Sequence, residues 1–453
     1  MKEFWKKLPG YRRMAVLELY FVYFVLGVAV ILIGSTLPSL REANALSYGQ
    51  SGNLLSVQSV GFLLVGLVTG AAVLRFGIHK AYVGTVAFLP IGMFMLVKGG
   101  SYLFLAAAML LIGLSKGAIT DYNNRVMSDY AEGDAGPINS LHIFFAIGAC
   151  LAPFLALLMT GISAEKGWLY ALTVSAILAA VAVAAGIFVK MDLTNVPDDA
   201  GHSAGHDADR GTFSDTDAKA GVDAEANADF DADAKTGFGA GAKAVGRTGK
   251  DHTAAIQEKS LAFFREPLFL WTLLMGICDQ ALESSLMGWL TTYYLETGIV
   301  SEQVSQLTTS LLWFAFLIGR IICVIIAMKW QPKKMLLLMG TGTAVFMIML
   351  TLSMHVSLLL ISTIGLGLCL SGVYGTAVSN VSEVFARYPS AMGLYVTIAG
   401  IGGAAAPAAI GWLSDLFNVR IGFYVLAVVA VVLTFAVVMN MRIKHESVST
   451  IKA

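Results

Sequence analysis

Apolar residues run through this chain in long unbroken stretches, without the alternation of a half-buried strand or the single stripe of a surface helix. Each stretch reaches the roughly 20 residues that a helix needs to cross the hydrocarbon core of a bilayer. The pattern predicts twelve spans, over residues 14–38, 50–74, 79–98, 102–127, 137–161 and 167–190, then 267–295, 303–328, 333–353, 356–384, 390–414 and 419–441. Short polar clusters separate most of them, so consecutive helices pack antiparallel. The predicted fold is an all-α membrane protein.

One interruption is of a different kind. From Asp192 to about Glu258 the chain turns to Ala, Gly and Asp, as in Phe230-Asp231-Ala232-Asp233-Ala234. Such a segment buries too little apolar surface to fold. It divides the chain into an N-terminal bundle of six helices (1–191), a disordered linker (192–258) and a C-terminal bundle of six (259–453). His202 and His206, followed by Asp207 and Asp209, would suit a divalent metal on a helix. Gly201 and Gly205 oppose helix there, so a plain tether is expected and no metal site.

The halves repeat each other. Ile147-Gly148-Ala149-Cys150-Leu151-Ala152-Pro153 recurs 254 residues later as Ile401-Gly402-Gly403-Ala404-Ala405-Ala406-Pro407. The same offset carries Gly34 onto Gly288, Gly113 onto Gly367, Asp129 onto Glu383 and Ser47 onto Ser301. Two like halves in a membrane chain point to a transporter with pseudo-symmetric bundles.

Composition agrees and narrows the function. With 57% hydrophobic and 13% charged residues, the chain has too little polar surface to be a soluble globule. Formal net charge is zero, which argues against a nucleic-acid partner; the expected surroundings are the lipid bilayer of a cell membrane, with the chain acting as a monomer. Basic residues gather at Lys2, Lys6, Lys7, Arg12 and Arg13, at Arg75 and Lys80, at Lys329, Lys333 and Lys334, and at Arg442 and Lys444. The opposite loops carry scattered charges such as Arg41, Lys98, Lys166 and Arg420, so both termini are expected in the cytoplasm. The first apolar segment is too long for a cleavable signal and stays as span one. Cys150, Cys278, Cys323 and Cys369 all fall in spans and suggest neither disulfides nor a thiolate metal site.

Ionisable groups within spans cost on the order of 3 kcal/mol each on insertion scales and mark candidate chemistry. Asp279 and Glu283 stand four apart near the middle of span seven, on one helical face. Two acids so close do not both ionise cheaply in low dielectric, so one can carry a proton or hold Na+. Alternatively they neutralise a basic residue elsewhere, Lys116 or Arg320. In span four Lys116, Thr120 and Asn123 share a face, while Asp121 and Arg125, four apart, suit an internal ion pair that is either structural or a gate. His142 titrates near neutral pH and is either a coupling group or a packing residue. Glu18 lies too near the end of span one for a midplane ligand.

Trp289, Tyr293 and Tyr294 offer ring faces for stacking on a sugar, or else belong to the interfacial aromatic belt. Gln58 and Asn53 are neutral hydrogen-bonders that suit a polyol or pack helices together. Arg75-Phe76-Gly77-Ile78-His79-Lys80 is a tight basic loop that reads as a hinge or gate. There is no nucleophile and base pair, phosphate-cradling loop or metal cluster in a region able to fold around it, so enzymatic activity and a bound cofactor are not expected.

These residues resemble the major facilitator superfamily. Gly70, Arg75, Gly77 and Lys80 fit its loop between spans two and three, although Leu74 stands where that loop carries an acid. Asn139 to Ala149 with Pro153 is similar to the fifth span of fucose/glucose-type sugar symporters. Glu283, Trp289 and Tyr293 resemble their seventh span, and Gly113, Gly117, Asp121 and Asn124 their glycine-rich fourth. The resemblance implies two six-helix bundles rocking about a central cavity, and uptake of a sugar or similar small polar solute driven by H+ or Na+. It gives Asp121, Asn124, Glu283, Trp289 and Tyr293 a cavity-facing role, with the acids as coupling candidates. Gly148-x-x-x-Ala152-Pro153 also resembles the fifth span of proton-coupled drug or metabolite exporters, which is the alternative reading.

Overall fold

A computed structural model describes residues 2–131, 135–193 and 262–443. The tether proper, residues 194–258, and its candidate metal ligands His202, His206, Asp207 and Asp209 lie outside the described residues. Following a short helix Lys2–Lys7, the first half contains α1 (Gly10–Ala43), α2 (Tyr48–Phe76), α3 (Ile78–Lys98), α4 (Tyr102–Ala131), α5 (Ala135–Ile162) and α6 (Gly167–Phe188). The second contains α7 (Pro267–Thr297), α8 (Glu302–Ala327), α9 (Pro332–Leu352), α10 (Val356–Asn380), α11 (Pro389–Leu416) and α12 (Val419–Arg442).

Local chemistry sets the helix ends. Ser47 accepts from the Gln50 backbone N–H, and Gln50 reaches back to the Ser47 N–H, a capping box that starts α2. Ser301 caps α8 and Asn418 caps α12, while prolines open α7, α9 and α11, where the missing N–H is not needed. Two spans are broken: α3 at Ala87, and α10 at Ser371 and Gly372. Among the described residues ten helices are long and apolar enough to cross a membrane, and α2, bent by 44° between Gly66 and Val68, makes an eleventh if taken as one span. The remaining expected span, α7, is a continuous helix of 31 residues that falls outside that set. Asp279, Gln280, Glu283, Ser284, Ser285 and four threonines dilute its apolar character.

Packing repeats with the sequence. In the first half α1 lies along α5 and α2 along α4; in the second α7 lies along α11 and α8 along α10. The repeated glycines make these approaches possible, because a Cβ on Gly148 would overlap the Phe24 carbonyl oxygen and one on Gly402 the Ile277 oxygen. Gly113 against Gln58 and Gly367 against Leu312 play the same part in the second pair of crossings. Lipid offers no hydrophobic drive between helices, so such close backbone contact supplies much of the association. Gly148→Leu is therefore expected to destabilise the N-terminal bundle by about 1–3 kcal/mol or more, the usual cost of overpacking. Thermal unfolding in detergent checks this, with Gly70→Leu as a control, since a Cβ there meets open space.

Between the halves α2 meets α11, α5 meets α8, and α1 meets α7. The repeat converts the first seam into the second and maps the third onto itself, so a pseudo-two-fold relates the bundles. The third repeated pair serves this interface: a Cβ on Gly34 would overlap the Met287 carbonyl oxygen, and one on Gly288 would overlap the Leu55 side chain.

The linker was expected to begin at Asp192, but the structure carries the N-terminal bundle through that residue. Asp192 accepts from Arg12 Nε at 3.2 Å and Nη2 at 3.1 Å, and from the Tyr11 and Tyr130 hydroxyls at 3.0 Å each. Partial burial pushes the Asp192 carboxyl up, but the bonds from Arg12, Tyr130 and Tyr11 outweigh it and hold the group below its ordinary value. A single acid at the end of an apolar helix gives no sign in sequence of partners about 180 residues earlier.

Candidate functional site

Five helices from both halves converge on one cavity near mid-bundle. Val30 and Gly34 of α1, Leu55, Gln58 and Ser59 of α2, Lys116 of α4, Ser284, Met287 and Gly288 of α7 and Pro407 of α11 line about 360 Å³ of space, counting the part open to solvent. A second space of about 230 Å³ adjoins it through Met287, walled by Leu286, Leu312, Trp313, Phe316 and Leu370, with Glu283 as its one charged wall. Met287 therefore stands where the polar cavity and the apolar one meet, and Glu283, one turn earlier on α7, is in the wall of the apolar one.

Charges of both halves surround Glu283. Lys116 is its electrostatic neighbour from the first half and Arg320 from the second. Asp279, one turn earlier, is 1% exposed, with Glu283 and Arg320 as electrostatic neighbours and no hydrogen-bond partner on Oδ1. Among the described residues no ion pair closes between these acids and either base. The Lys116 ammonium lies 5.2 Å from the centre of the Phe62 ring, a cation–π contact that holds it without neutralising it. Gln58 is buried and its Nε2 has no partner in the protein, as is Trp313 Nε1 in the second space. Unsatisfied buried donors in a cavity wall are the groups a polar ligand would satisfy.

A second polar cluster lies on the first-half side. The Tyr23 hydroxyl sits beside Thr120 and Asn124, and the His142 ring stands edge-on to Tyr23 at 5.8 Å. Arg320 is an electrostatic neighbour of both Tyr23 and His142, so it links this cluster to the acids of α7. Asn124 Oδ1 is buried and unpartnered.

The family profile described as Major Facilitator Superfamily matches residues 19–300 and 272–452. The chain belongs to the major facilitator superfamily. It is a multi-pass membrane protein. The glucose/mannose transporter GlcP of Bacillus subtilis (strain 168) is 22% identical over 431 residues, which is 94% of each chain. Among solved structures, a D-xylose–proton symporter superposes with a TM-score of 0.70 at 12% identity, covering 96% of this chain and 98% of that one. The nucleoside transporter NupG gives 0.67 at 13% identity, covering 96% and 100%. At these identities the structural likeness establishes the major facilitator fold.

Within that fold the expected site residues separate. Gln58, Lys116 and Glu283 come to the cavity walls, and Asp279, Arg320, His142 and Asn124 come near them. Trp289 and Tyr293 do not reach either cavity wall: both are fully buried, Trp289 Nε1 donates to the Pro407 carbonyl at 3.2 Å, and the Tyr293 hydroxyl donates to the Leu350 carbonyl at 2.8 Å. Tyr293 also stacks on Phe423 at 4.2 Å, so both rings brace the second bundle. Asn53 lies near the start of α2 outside both cavity walls. Asn123, expected to share the Lys116 face, donates to the Leu19 carbonyl at 2.9 Å and ties α4 to α1. Glu18 accepts from the Tyr82 hydroxyl at 3.2 Å inside the first bundle.

Asp121 has Thr69 and Arg125 beside it, but the expected ion pair with Arg125 is not closed among the described contacts. Arg75 is exposed at the terminus-bearing end, over Phe76 at 5.5 Å. Sequence reading missed Ser59, Ser284, Met287, Trp313 and Phe316. Ser59 and Ser284 adjoin Gln58 and Glu283, and that adjacency is the signal that could have found them.

Proposed function

We propose that this protein is a secondary active transporter that carries a sugar or similar small polar solute inward by symport with H+ or Na+. The observation that carries the reading is the cavity shared by both bundles, where Gln58, Ser59, Lys116 and Ser284 present hydrogen-bonding groups beside the carboxyl of Glu283. Hydroxyl-rich solutes match neutral amide and hydroxyl partners, and a carboxyl in a low-dielectric site is suited to exchange a proton or bind Na+. The likeness to a glucose/mannose transporter along nearly the whole chain supports the same solute class.

With the basic loops and both termini in the cytoplasm, this conformation faces inward. The hydrogen bonds described between the halves lie away from the termini, from Arg41 to Glu296, from Ser47 to Asp415 and from Ser310 to Cys150. Outward and inward forms would exchange by rocking of the two bundles around Glu283. The transporter works as a monomer, powered by the ion gradient alone.

Proteoliposomes offered a panel of sugars under imposed H+ or Na+ gradients test the reading. A sugar should accumulate against its gradient with one of the two ions. Failure of every sugar to accumulate, with cationic dyes expelled instead, would establish export and overturn symport.

A further inference from the structure

We propose that the side remote from the termini is held shut by a one-sided latch, in which Asp415 of α11 caps α2 across the bundle interface. This goes beyond the transport reading, which uses the contact only to orient the conformation.

The first turn of any helix has backbone N–H groups without intrahelical partners. At the start of α2 the Ser47 and Gln50 capping box satisfies the Gln50 N–H internally. The Tyr48 and Gly49 N–H groups instead donate to the Asp415 carboxylate at 2.7 and 2.8 Å, and the Ser47 hydroxyl donates to it at 2.7 Å. A carboxylate there also meets the positive end of the α2 dipole, and charge-assisted bonds of this length are the strong ones. The contact is close enough to require glycine: a Cβ on Gly49 would come within 2.6 Å of Asp415 Oδ2 and 2.8 Å of Trp412. A second strand reinforces it. Arg41 of α1 pairs with Glu296 of α7 at 3.3 Å, the Tyr48 hydroxyl donates to the same carboxylate, and the Arg41 guanidinium lies 4.1 Å over the Tyr48 ring.

The 254-residue repeat provides an internal control, because it maps this seam onto that between α5 and α8. Ser301 caps α8 as Ser47 caps α2. Opposite it, the position matching Asp415 is Gly161, around whose Cβ position there is open space. Gln303 replaces Gly49 and is exposed, and Leu158, which replaces Trp412, is 62% exposed. The second seam is joined deeper, where Ser310 Oγ donates to the Cys150 carbonyl at 2.8 Å and Trp313 meets Phe145 at 5.5 Å. The first seam is also packed below its tip, where a Cβ on Gly52 would overlap the Pro407 carbonyl oxygen and one on Gly400 the Leu63 side chain, so the two seams differ in the carboxylate cap at the outer end, which one has and the other lacks.

Spin-label distances test this without substrate, so failure here leaves the transport reading untouched. With Cys150, Cys278, Cys323 and Cys369 replaced by alanine, one pair of labels at Glu42→Cys and Phe417→Cys spans the latched seam. A second pair at Ile162→Cys and Glu302→Cys spans the uncapped seam. Asp415→Asn, which keeps the shape and removes the charge, is expected to raise the open-to-closed ratio at the first pair roughly tenfold, the consequence of losing about 1.4 kcal/mol. Ser47→Ala, which removes the hydroxyl bond to Asp415 and the capping of the Gln50 N–H but keeps the two backbone bonds to Asp415, should give a smaller shift of the same sign and serves if the Asp415 variant does not fold. The second pair reports the same rocking from the seam that lacks the cap. An unchanged first distance in both variants overturns the latch.

Discussion

Replacing Glu283 by glutamine is expected to abolish concentrative uptake while exchange of solute across the same membrane persists. The amide has the size of a protonated carboxyl but cannot release a proton or hold Na+. The variant should therefore bind solute in the cavity that Gln58, Ser59, Lys116 and Ser284 line and still rock, but without drawing on the gradient. For coupling of one proton per solute, a gradient of one pH unit is worth about 1.36 kcal/mol and sustains roughly tenfold accumulation. In Glu283→Gln the ratio should fall to about one, with counterflow of labelled sugar within a few-fold of the unmodified protein. Gradient-driven accumulation that survives this change would move coupling away from Glu283, and Asp279 one turn below would become the group to test.

The contrast between those two acids shows how far the sequence can be read. Spacing of four placed them on one face of α7, and that is correct as helical geometry. It does not reveal that Asp279 is sealed inside the second bundle while Glu283 reaches the wall of the second cavity. The same geometry corrects the aromatic assignment. At 3.6 residues per turn Met287 lies nearly one turn above Glu283, whereas Trp289 lies about 240° round the helix from it. Met287 accordingly lines both cavities and Trp289 turns to Pro407. Helix content, the two bundles and the packing role of the repeated glycines were legible because each follows from local pattern or from the repeat.

Partners set by the approach of distant segments were not legible. Asp415 reads in sequence as an ordinary polar residue at a helix end, and its partners lie more than 360 positions earlier. Arg41 and Glu296 read as scattered charges near helix ends for the same reason. The break in α3 had a legible cue, since Pro90 follows Ala87 by three residues and has no N–H for the Val86 carbonyl, whereas the break in α10 was hidden, because the apolar run continues across Ser371 and Gly372 with no proline or charge there.

Lys116→Gln is expected to lower accumulation almost as far as Glu283→Gln, and the double variant should be no worse than either single one. An ionised Glu283 needs a compensating cation in this low-dielectric setting, and Lys116 is the one supplied by the opposite bundle. Without it the carboxylate loses its partner from the opposite bundle, so both changes interrupt the same step. Arg320 still neighbours the acid from its own bundle, which leaves Lys116→Gln a small residual gradient response. Removing both charges also removes the mismatch, and the double variant should regain thermal stability lost by Lys116→Gln alone. A double-mutant cycle on accumulation ratio and on unfolding temperature measures both effects. Losses that simply add would mean that the two groups act independently, Lys116 on the solute and Glu283 on the ion, whereas a double variant matching the single ones would make the pair across the interface the unit that ties proton or Na+ binding to movement of the bundles.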